Sequence, residues 1–184
     1  MHGHGTAFRF CPVCGSPLEA RSLKAGDPMR LVCTSPACGF VFYLDPKLAV
    51  GTIIRLPDER LVLVRRAIEP GYGLWVFPGG YVDRGEDVRL AAVREAREEA
   101  GIDVRLGDLV GIYSYPGTTA VIIVYAATWL SGELAFDDEG LEIRAFDARN
   151  LPWDALAFHS TRDGLRDYLE RAQASNPSPG ATGA

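Results

Sequence analysis

The chain lacks the features that would place it in a membrane or outside the cell. None of its apolar runs approaches the roughly 18 residues that are needed to cross a bilayer. Its N-terminus, MHGHGTAFRF, lacks the charged region and the apolar core of a signal peptide. We therefore expect a cytoplasmic protein with no membrane partner.

An excess of positive charge is also missing. The formal net charge of the 184 residues is -5, which does not favour electrostatic binding of nucleic acid. The charge is uneven, since residues 1–46 carry four basic and three acidic side chains, whereas residues 47–184 carry 15 basic and 21 acidic ones. The 47% hydrophobic content is enough for a sizeable core, and the length suits one domain with or without a small module.

Cysteine is absent after residue 38, and the four earlier cysteines follow the pattern C-x2-C-x18-C-x4-C. They are Cys11, Cys14, Cys33 and Cys38. Paired thiolates at this spacing predict a structural Zn²⁺ site, closed by four sulfurs, in a zinc ribbon over residues 1–45. Two disulfides are the alternative, which a reducing cytosol disfavours. A module of about 40 residues cannot bury enough apolar surface to fold well without such a staple.

Three glutamates, Glu95, Glu98 and Glu99, lie at positions i, i+3 and i+4 of a segment that reads as a helix from near Glu86 to Ala100. This spacing places them on one side of the helix, where like charges repel. A bound cation is the simplest explanation, and carboxylates are the preferred ligands of Mg²⁺. We therefore expect a catalytic Mg²⁺ or Mn²⁺ ion here, the alternative being a solvated amphipathic helix.

The remaining pattern favours an α/β fold. Residues 48–56 and 61–65 read as a β-hairpin, and residues 104–106 and 109–114 read as two further strands. The continuous apolar run over residues 120–130 predicts a central strand that is buried on both faces. Together with the helix that carries the three glutamates and a further helix near the C-terminus, these strands fit an α/β/α sandwich around a mixed sheet.

The glutamates belong to a longer motif, G-x5-E-x7-R-E-x-x-E-E-x-G followed by an aliphatic residue. Its fixed positions are filled by Gly80, Glu86, Arg94, Glu95, Glu98, Glu99, Gly101 and Ile102. This stretch, called the box below, resembles the Nudix box of hydrolases that cleave nucleoside diphosphates linked to another moiety. The resemblance implies the Nudix sandwich over residues 46–172, after the zinc ribbon. We expect the uncharged tail, residues 173–184, to be disordered.

The resemblance also implies roles for individual residues. Glu98 and Glu99 are expected to bind the metal directly, Glu95 to be a ligand or the base for water, and Arg94 to anchor the box carboxylates. The carbonyl of Gly79 is the expected further ligand, and a later loop often adds an acidic one. The candidates for that ligand are Asp137, Asp138, Glu139 and Glu142, among which Glu142 is our choice. Independently of the resemblance, Arg65 and Arg66 precede the loop over residues 69–75, so we assign substrate contacts to them and to Glu139, the alternative being that one arginine is only a surface charge. Candidates for stacking on a base are Tyr72, Trp75, Tyr113, Tyr115 and Phe158.

Features outside the box are similar to the zinc-ribbon Nudix hydrolases that act on ADP-ribose or FAD. They are the run from Phe10 to Gly15, Asp45-Pro46-Lys47, the run from Arg65 to Pro70 and the run from Pro152 to Phe158. NADH pyrophosphatases share the plan but carry a Ser-Gln-Pro-Trp-Pro-Phe-Pro segment, where this chain reads Gly111 to Gly117. Hydrolysis of NADH or of an NAD cap is therefore the alternative activity. A nucleotide-sensing regulator is the alternative of another class, although such proteins usually lose box glutamates. A homodimer is possible by resemblance.

Overall fold

The structure, a computed structural model of the chain, describes residues 8–174 and divides into two compact units, Met1–Asp45 and Pro46–Ala184. In the first unit, three short strands form an antiparallel sheet in the order β1-β2-β3. The strands are β1 (Leu18–Arg21), β2 (Arg30–Cys33) and β3 (Val41–Phe42). The only hydrophobic side chains buried in the described part of this unit are those of Cys11 and Cys33.

The second unit contains a six-stranded mixed sheet and two helices. Its strands are β4 (Lys47–Arg55), β5 (Leu61–Arg66), β6 (Trp75–Val76), β7 (Ile102–Tyr113), β8 (Ala120–Gly132) and β9 (Gly140–Phe146). Five of them lie in the order β6-β5-β4-β8-β7, and β9 pairs with β5. The β4–β8 pair is parallel and the other pairs are antiparallel.

The helices are α1 (Val88–Ala100) and α2 (His159–Ala174), with 3-10 turns at Ala148–Asn150 and Trp153–Ala155. The two helices cover opposite faces of the sheet. Successive side chains of a strand point to opposite faces, and Ile53 packs in one cluster with Leu165 of α2. Its neighbour Ile54 packs in another cluster with Ala96 and Ala100 of α1. The predicted α/β/α sandwich is therefore confirmed.

The strand β8 lies between β4 and β7, as predicted for a central strand. One detail differs, because the two strands expected at residues 104–106 and 109–114 form the single strand β7, whose pairing with β8 contains register shifts. Such irregularities interrupt the alternation of side chains between the two faces of the sheet without ending the strand.

The bounds of α1 follow from its caps. The Asp87 side chain accepts hydrogen bonds from the backbone N–H groups of Arg89 and Leu90, so the helix begins at Val88, slightly later than expected. Gly101 has a left-handed conformation, with φ of 71°, and its N–H donates to the carbonyl of Arg97. Ala91, Ala92, Ala96 and Ala100 are fully buried, and their small side chains let α1 approach the sheet closely.

The second helix continues to Ala174, so residues 173 and 174, which we assigned to the tail, are helical. Residues 175–184 lie outside the described part of the chain. No helix among the described residues is both long and apolar enough to span a membrane.

Candidate active site and zinc site

Arg94 is the centre of a network of carboxylates. Its guanidinium donates two hydrogen bonds to Glu86, from Nε to Oε1 at 2.8 Å and from Nη2 to Oε2 at 2.9 Å. Nη1 donates to Glu95 Oε1 at 2.7 Å and to Glu98 Oε2 at 2.8 Å. Nη2 also donates to the carbonyl of Tyr81 at 3.2 Å. One cation thus offsets the repulsion among three acidic side chains and holds them in place.

Glu86 fastens the loop before α1 to the helix. Its Oε2 accepts a hydrogen bond from the backbone N–H of Asp83 at 3.0 Å, in addition to the bonds from Arg94. The hydrogen bonds from Arg94, and then that from Asp83, hold the pKa of Glu86 at about 2. Glu86 therefore stays ionised, and its place in the motif is structural.

Glu95 is the only charged side chain in residues 8–174 that is buried, with 8% of its surface exposed. Burial raises its pKa, against the hydrogen bond and the charge of Arg94. Gly80 lies directly against it, since a Cβ at Gly80 would be 2.6 Å from Glu95 Oε2. A side chain at this position would displace the carboxylate, which explains the glycine of the motif.

Glu99 lies on the same helix and contacts the turn that precedes the box. Its Oε2 accepts a hydrogen bond from the backbone N–H of Gly79 at 2.7 Å. Burial raises the pKa of Glu99 to about 7, and the negative charges of Glu95, Asp137 and Glu139 add to the effect. A half-buried carboxyl among three other carboxylates is a suitable ligand for a divalent cation, which would favour its ionised form.

The Gly79 carbonyl is available beside this cluster. The carbonyls on either side of it, those of Pro78 and Gly80, accept hydrogen bonds from the N–H groups of Thr52 and Val50 on β4, at 2.8 and 2.9 Å. The carbonyl of Gly79 lies between these two bonded groups in the sequence. Within residues 8–174 no hydrogen-bond partner is recorded for it.

Two of the later acidic residues come close to the box. Asp137 and Glu139 both act on the pKa of Glu99. The backbone of Glu139 is fixed, because its carbonyl accepts a hydrogen bond from the N–H of Ala67 at 2.7 Å. The segment around Glu139 is thereby attached to the residue that follows β5.

Glu142, our choice for the additional metal ligand, has different surroundings. It pairs with Arg65 across the β5–β9 ladder, and its Oε2 lies 3.9 Å from Arg65 Nη1. Its Oε1 accepts a short hydrogen bond from Arg144. The charge of Glu142 is therefore balanced by two arginines.

Both arginines that we assigned to substrate contacts hold the turn between β5 and β6. Arg65 Nε donates to the carbonyl of Gly73 at 2.8 Å, and Arg66 Nε donates to the carbonyl of Pro70 at 2.9 Å. The guanidinium carbon of Arg66 also lies 5.1 Å from the centre of the Phe158 ring. The sequence did not reveal this turn-holding role, because it depends on how the turn folds back.

Several aromatic residues that we considered for base stacking have structural contacts instead. Trp75 is 7% exposed and packs edge-on against Phe146. The hydroxyls of Tyr113 and Tyr115 donate to Asp167 and Asp163 of α2, each at 2.7 Å. Asp163 and Asp167, four residues apart, share one face of α2, which is the sequence signal for this double contact. Tyr72 is 59% exposed.

The four cysteines lie together in the first unit. They are free thiols, and their sulfur atoms all lie within 4.8 Å of one another. The Sγ–Sγ distances are 3.8 Å for Cys11 and Cys38 and 3.5 Å for Cys14 and Cys33. Tetrahedral Zn²⁺ with Zn–S bonds of about 2.3 Å separates its sulfurs by about 3.8 Å. This geometry fits a zinc ion. Within residues 8–174, the four cysteines are the only cluster of three or more histidine, cysteine, aspartate or glutamate side chains close enough to share a metal ion.

Comparisons with known proteins match both units. The NUDIX domain model matches residues 45–171, and the model of the Nudix N-terminal zinc ribbon matches residues 9–44. The ADP-ribose pyrophosphatase of Methanocaldococcus jannaschii is 37% identical over 131 residues, which cover 69% of this chain and 75% of that protein. A NUDIX hydrolase from Nitrosomonas europaea superposes with a TM-score of 0.82 at 32% identity, covering 94% of this chain and 95% of that one.

The NAD-capped RNA hydrolase NudC of Stutzerimonas stutzeri is 32% identical over 161 residues, which cover 88% of this chain. The aligned region is 54% of that relative, so the chain spans about half the length of the NAD-capped RNA hydrolase. The two family models, the geometry of the box and the cysteine cluster all indicate the same family. The chain is therefore a member of the Nudix hydrolase family, in the branch that carries an N-terminal zinc ribbon.

Proposed function

We propose that this Nudix hydrolase cleaves the diphosphate bond of a nucleoside diphosphate linked to another moiety, with ADP-ribose or FAD as its substrate, and that it requires Mg²⁺ or Mn²⁺. The observation that supports this best is the arrangement of the box carboxylates, since Arg94 holds Glu86, Glu95 and Glu98 and the N–H of Gly79 holds Glu99. The identity with the ADP-ribose pyrophosphatase points to the same class of substrate.

The metal would be held by Glu98, Glu99 and the Gly79 carbonyl, with Glu95 as a ligand or as the base for water. When bound, it would neutralise phosphate oxygens and lower the pKa of bound water. Arg94 keeps Glu95 and Glu98 oriented from one guanidinium, and Gly80 leaves room for Glu95. Burial disfavours the charged forms of Glu95 and Glu99, so both would bind a cation more readily than an exposed carboxylate pair.

The additional acidic ligand remains a proposal. Glu142 is a weaker candidate than the sequence suggested, because Arg65 and Arg144 already balance its charge. The contacts support Asp137 and Glu139 instead, because their charges act on Glu99. We propose that one of these two, rather than Glu142, completes the site.

Hydrolysis of NADH or of NAD-capped RNA is the second candidate, and the identity with NudC favours it. Against it stands the segment from Gly111 to Gly117, which lacks the Ser-Gln-Pro-Trp-Pro-Phe-Pro sequence. A small-molecule substrate, a zinc ion in the cysteine site, a possible homodimer and a cytoplasmic location stay predictions for this chain.

The test is product release from ADP-ribose, FAD, NADH, diadenosine polyphosphates and nucleoside triphosphates, with Mg²⁺ and then with EDTA. We expect metal-dependent cleavage with a preference for ADP-ribose or FAD. Glu98→Gln and Glu99→Gln should each lower kcat by about 10²-fold or more, because preorganised charge at the reacting centre is lost. Wild-type turnover in both variants would contradict the proposal, as would inactivity on the whole panel with metal bound.

A further inference from the structure

Two neighbouring arginines at the end of β5 have their charged ends in different surroundings. Arg65 has Glu142 as an ionic partner at 3.9 Å, and its Nε is bonded to the carbonyl of Gly73. Arg66 has only its Nε engaged, by the carbonyl of Pro70. Within residues 8–174, neither Nη1 nor Nη2 of Arg66 has a recorded hydrogen-bond or ion-pair partner.

Arg66 is nevertheless held firmly. The Phe158 ring lies 5.1 Å from its guanidinium carbon. A Cβ at Gly71 would lie 3.5 Å from Arg66 Cδ, so the turn packs along the side chain. The backbone of Arg66 also pairs with Leu74 and Gly73, at 2.9 and 2.8 Å. A guanidinium with one face on an aromatic ring and two free terminal nitrogens is a preorganised fork for a phosphate.

The backbone beside Arg66 is bonded to the segment that contains Glu139, whose charge acts on Glu99. Ala67, the residue after Arg66, donates its N–H to the carbonyl of Glu139 at 2.7 Å. The β5–β9 register shifts between Arg65 and Arg66, and such irregularities re-aim side chains beside active sites. A diphosphate that approaches several carboxylates needs cationic partners, and residues 47–184 carry an acidic excess of 21 side chains to 15.

We propose that Arg66 donates from Nη1 and Nη2 to a phosphate of the nucleoside diphosphate substrate, with Phe158 as the positioning residue that fixes its guanidinium. Arg65, although adjacent, holds the β5–β6 turn and does not touch the substrate. This inference rests on the proposed diphosphatase activity and separates two residues that the sequence assigned to the same role.

Steady-state kinetics on ADP-ribose with Mg²⁺ test the arginines as a matched pair. Arg66→Gln should lower kcat/KM by about 10- to 100-fold, the effect of losing hydrogen bonds to a charged group. Arg66→Lys should recover only part of this, because lysine lacks the planar fork. Arg65→Gln should change kcat/KM by less than about threefold, as an exposed ion pair contributes little. Equal losses at the two positions, or an unaffected Arg66→Gln variant, would overturn the assignment.

Phe158 is tested through its coupling to Arg66. Phe158→Leu should raise KM more than it lowers kcat, and it should cost little further in an Arg66→Gln background. Phe158→Tyr keeps the ring and should restore wild-type KM, whatever Phe158→Leu does to folding. Additive losses in the double variant would assign Phe158 to packing alone. An inactive wild type would refute the proposed function, whereas an active wild type with an unaltered Arg66→Gln variant would refute only this inference.

Discussion

The two units of this chain are stabilised in opposite ways. In the described part of the first, the only buried hydrophobic side chains are Cys11 and Cys33, whereas Phe10 and Met29 are each 64% exposed. In the second, clusters on both faces of the sheet enclose side chains such as Ile53, which is fully buried. The first unit is too short to form a core, and its cysteine geometry fits metal coordination instead. The second unit forms a core, which also supplies the low-dielectric surroundings that raise the pKa of Glu99.

The largest expected effect is the loss of the first unit without its metal site. Cys33→Ser should remove the zinc and unfold this unit while the second stays folded, because zinc binding in such modules supplies about 10 kcal/mol or more. Elemental analysis should fall from one zinc per chain to none, and amide NMR signals should collapse for the first unit alone. Met29→Ser, an exposed position, is the control and should keep its zinc. Retained zinc in Cys33→Ser would contradict this account of the ribbon.

The complementary change targets the hydrophobic unit. Ile53→Ala removes a fully buried side chain between β4 and α2, which should cost about 2–5 kcal/mol of unfolding free energy. Denaturant unfolding should show this loss, with zinc content unchanged. Leu90→Ala, on the exposed face of α1, should stay within about 0.5 kcal/mol of wild type. A simultaneous loss of zinc would show that the two units are not stabilised independently.

A smaller effect is expected from a substitution that alters the active site but leaves the hydrophobic core intact. Gly80→Ala places a methyl group 2.6 Å from the Glu95 carboxylate, so the carboxylate must shift. A displacement of about 1 Å at a reacting centre can cost about 10²-fold in rate. We expect kcat to fall on this scale with little change in the thermal midpoint. If Tm falls in parallel with activity, Gly80 serves packing rather than the placement of Glu95.

The smallest effect concerns acid stability. The pKa of Glu86 is held at about 2, below its ordinary value of 4.5, by Arg94. Its ionised form therefore stabilises the fold above pH 4.5, and this contribution is lost as the pH falls towards 2. Glu86→Gln should lower the Tm of the second unit at pH 6, and the difference from wild type should shrink on acidification. A difference that stays constant down to pH 2 would rule out Arg94 as its source.

Local patterns made much of this protein predictable. The helix α1 and its end at Gly101 follow from period and capping, which depend on neighbouring residues. The cysteine cluster follows from spacing, since two short turns can bring four sulfurs together. The central position of β8 was predicted from its continuous apolar run. Both strands predicted within β7 are extended as expected, and only the break between them was wrong, because pairing with β8 continues across the irregular stretch.

The carboxylates of the box and the identity of the family were determined by the sequence alone, because fixed spacing on one helix places Glu95, Glu98 and Glu99 together whatever the surroundings. Only the tertiary structure decided which later carboxylates act on Glu99, and which of Arg65 and Arg66 has an ionic partner. These outcomes depend on the β5–β9 register and on the packing of Phe158 against β5. Such contacts join residues that are distant along the chain, and no local spacing encodes them.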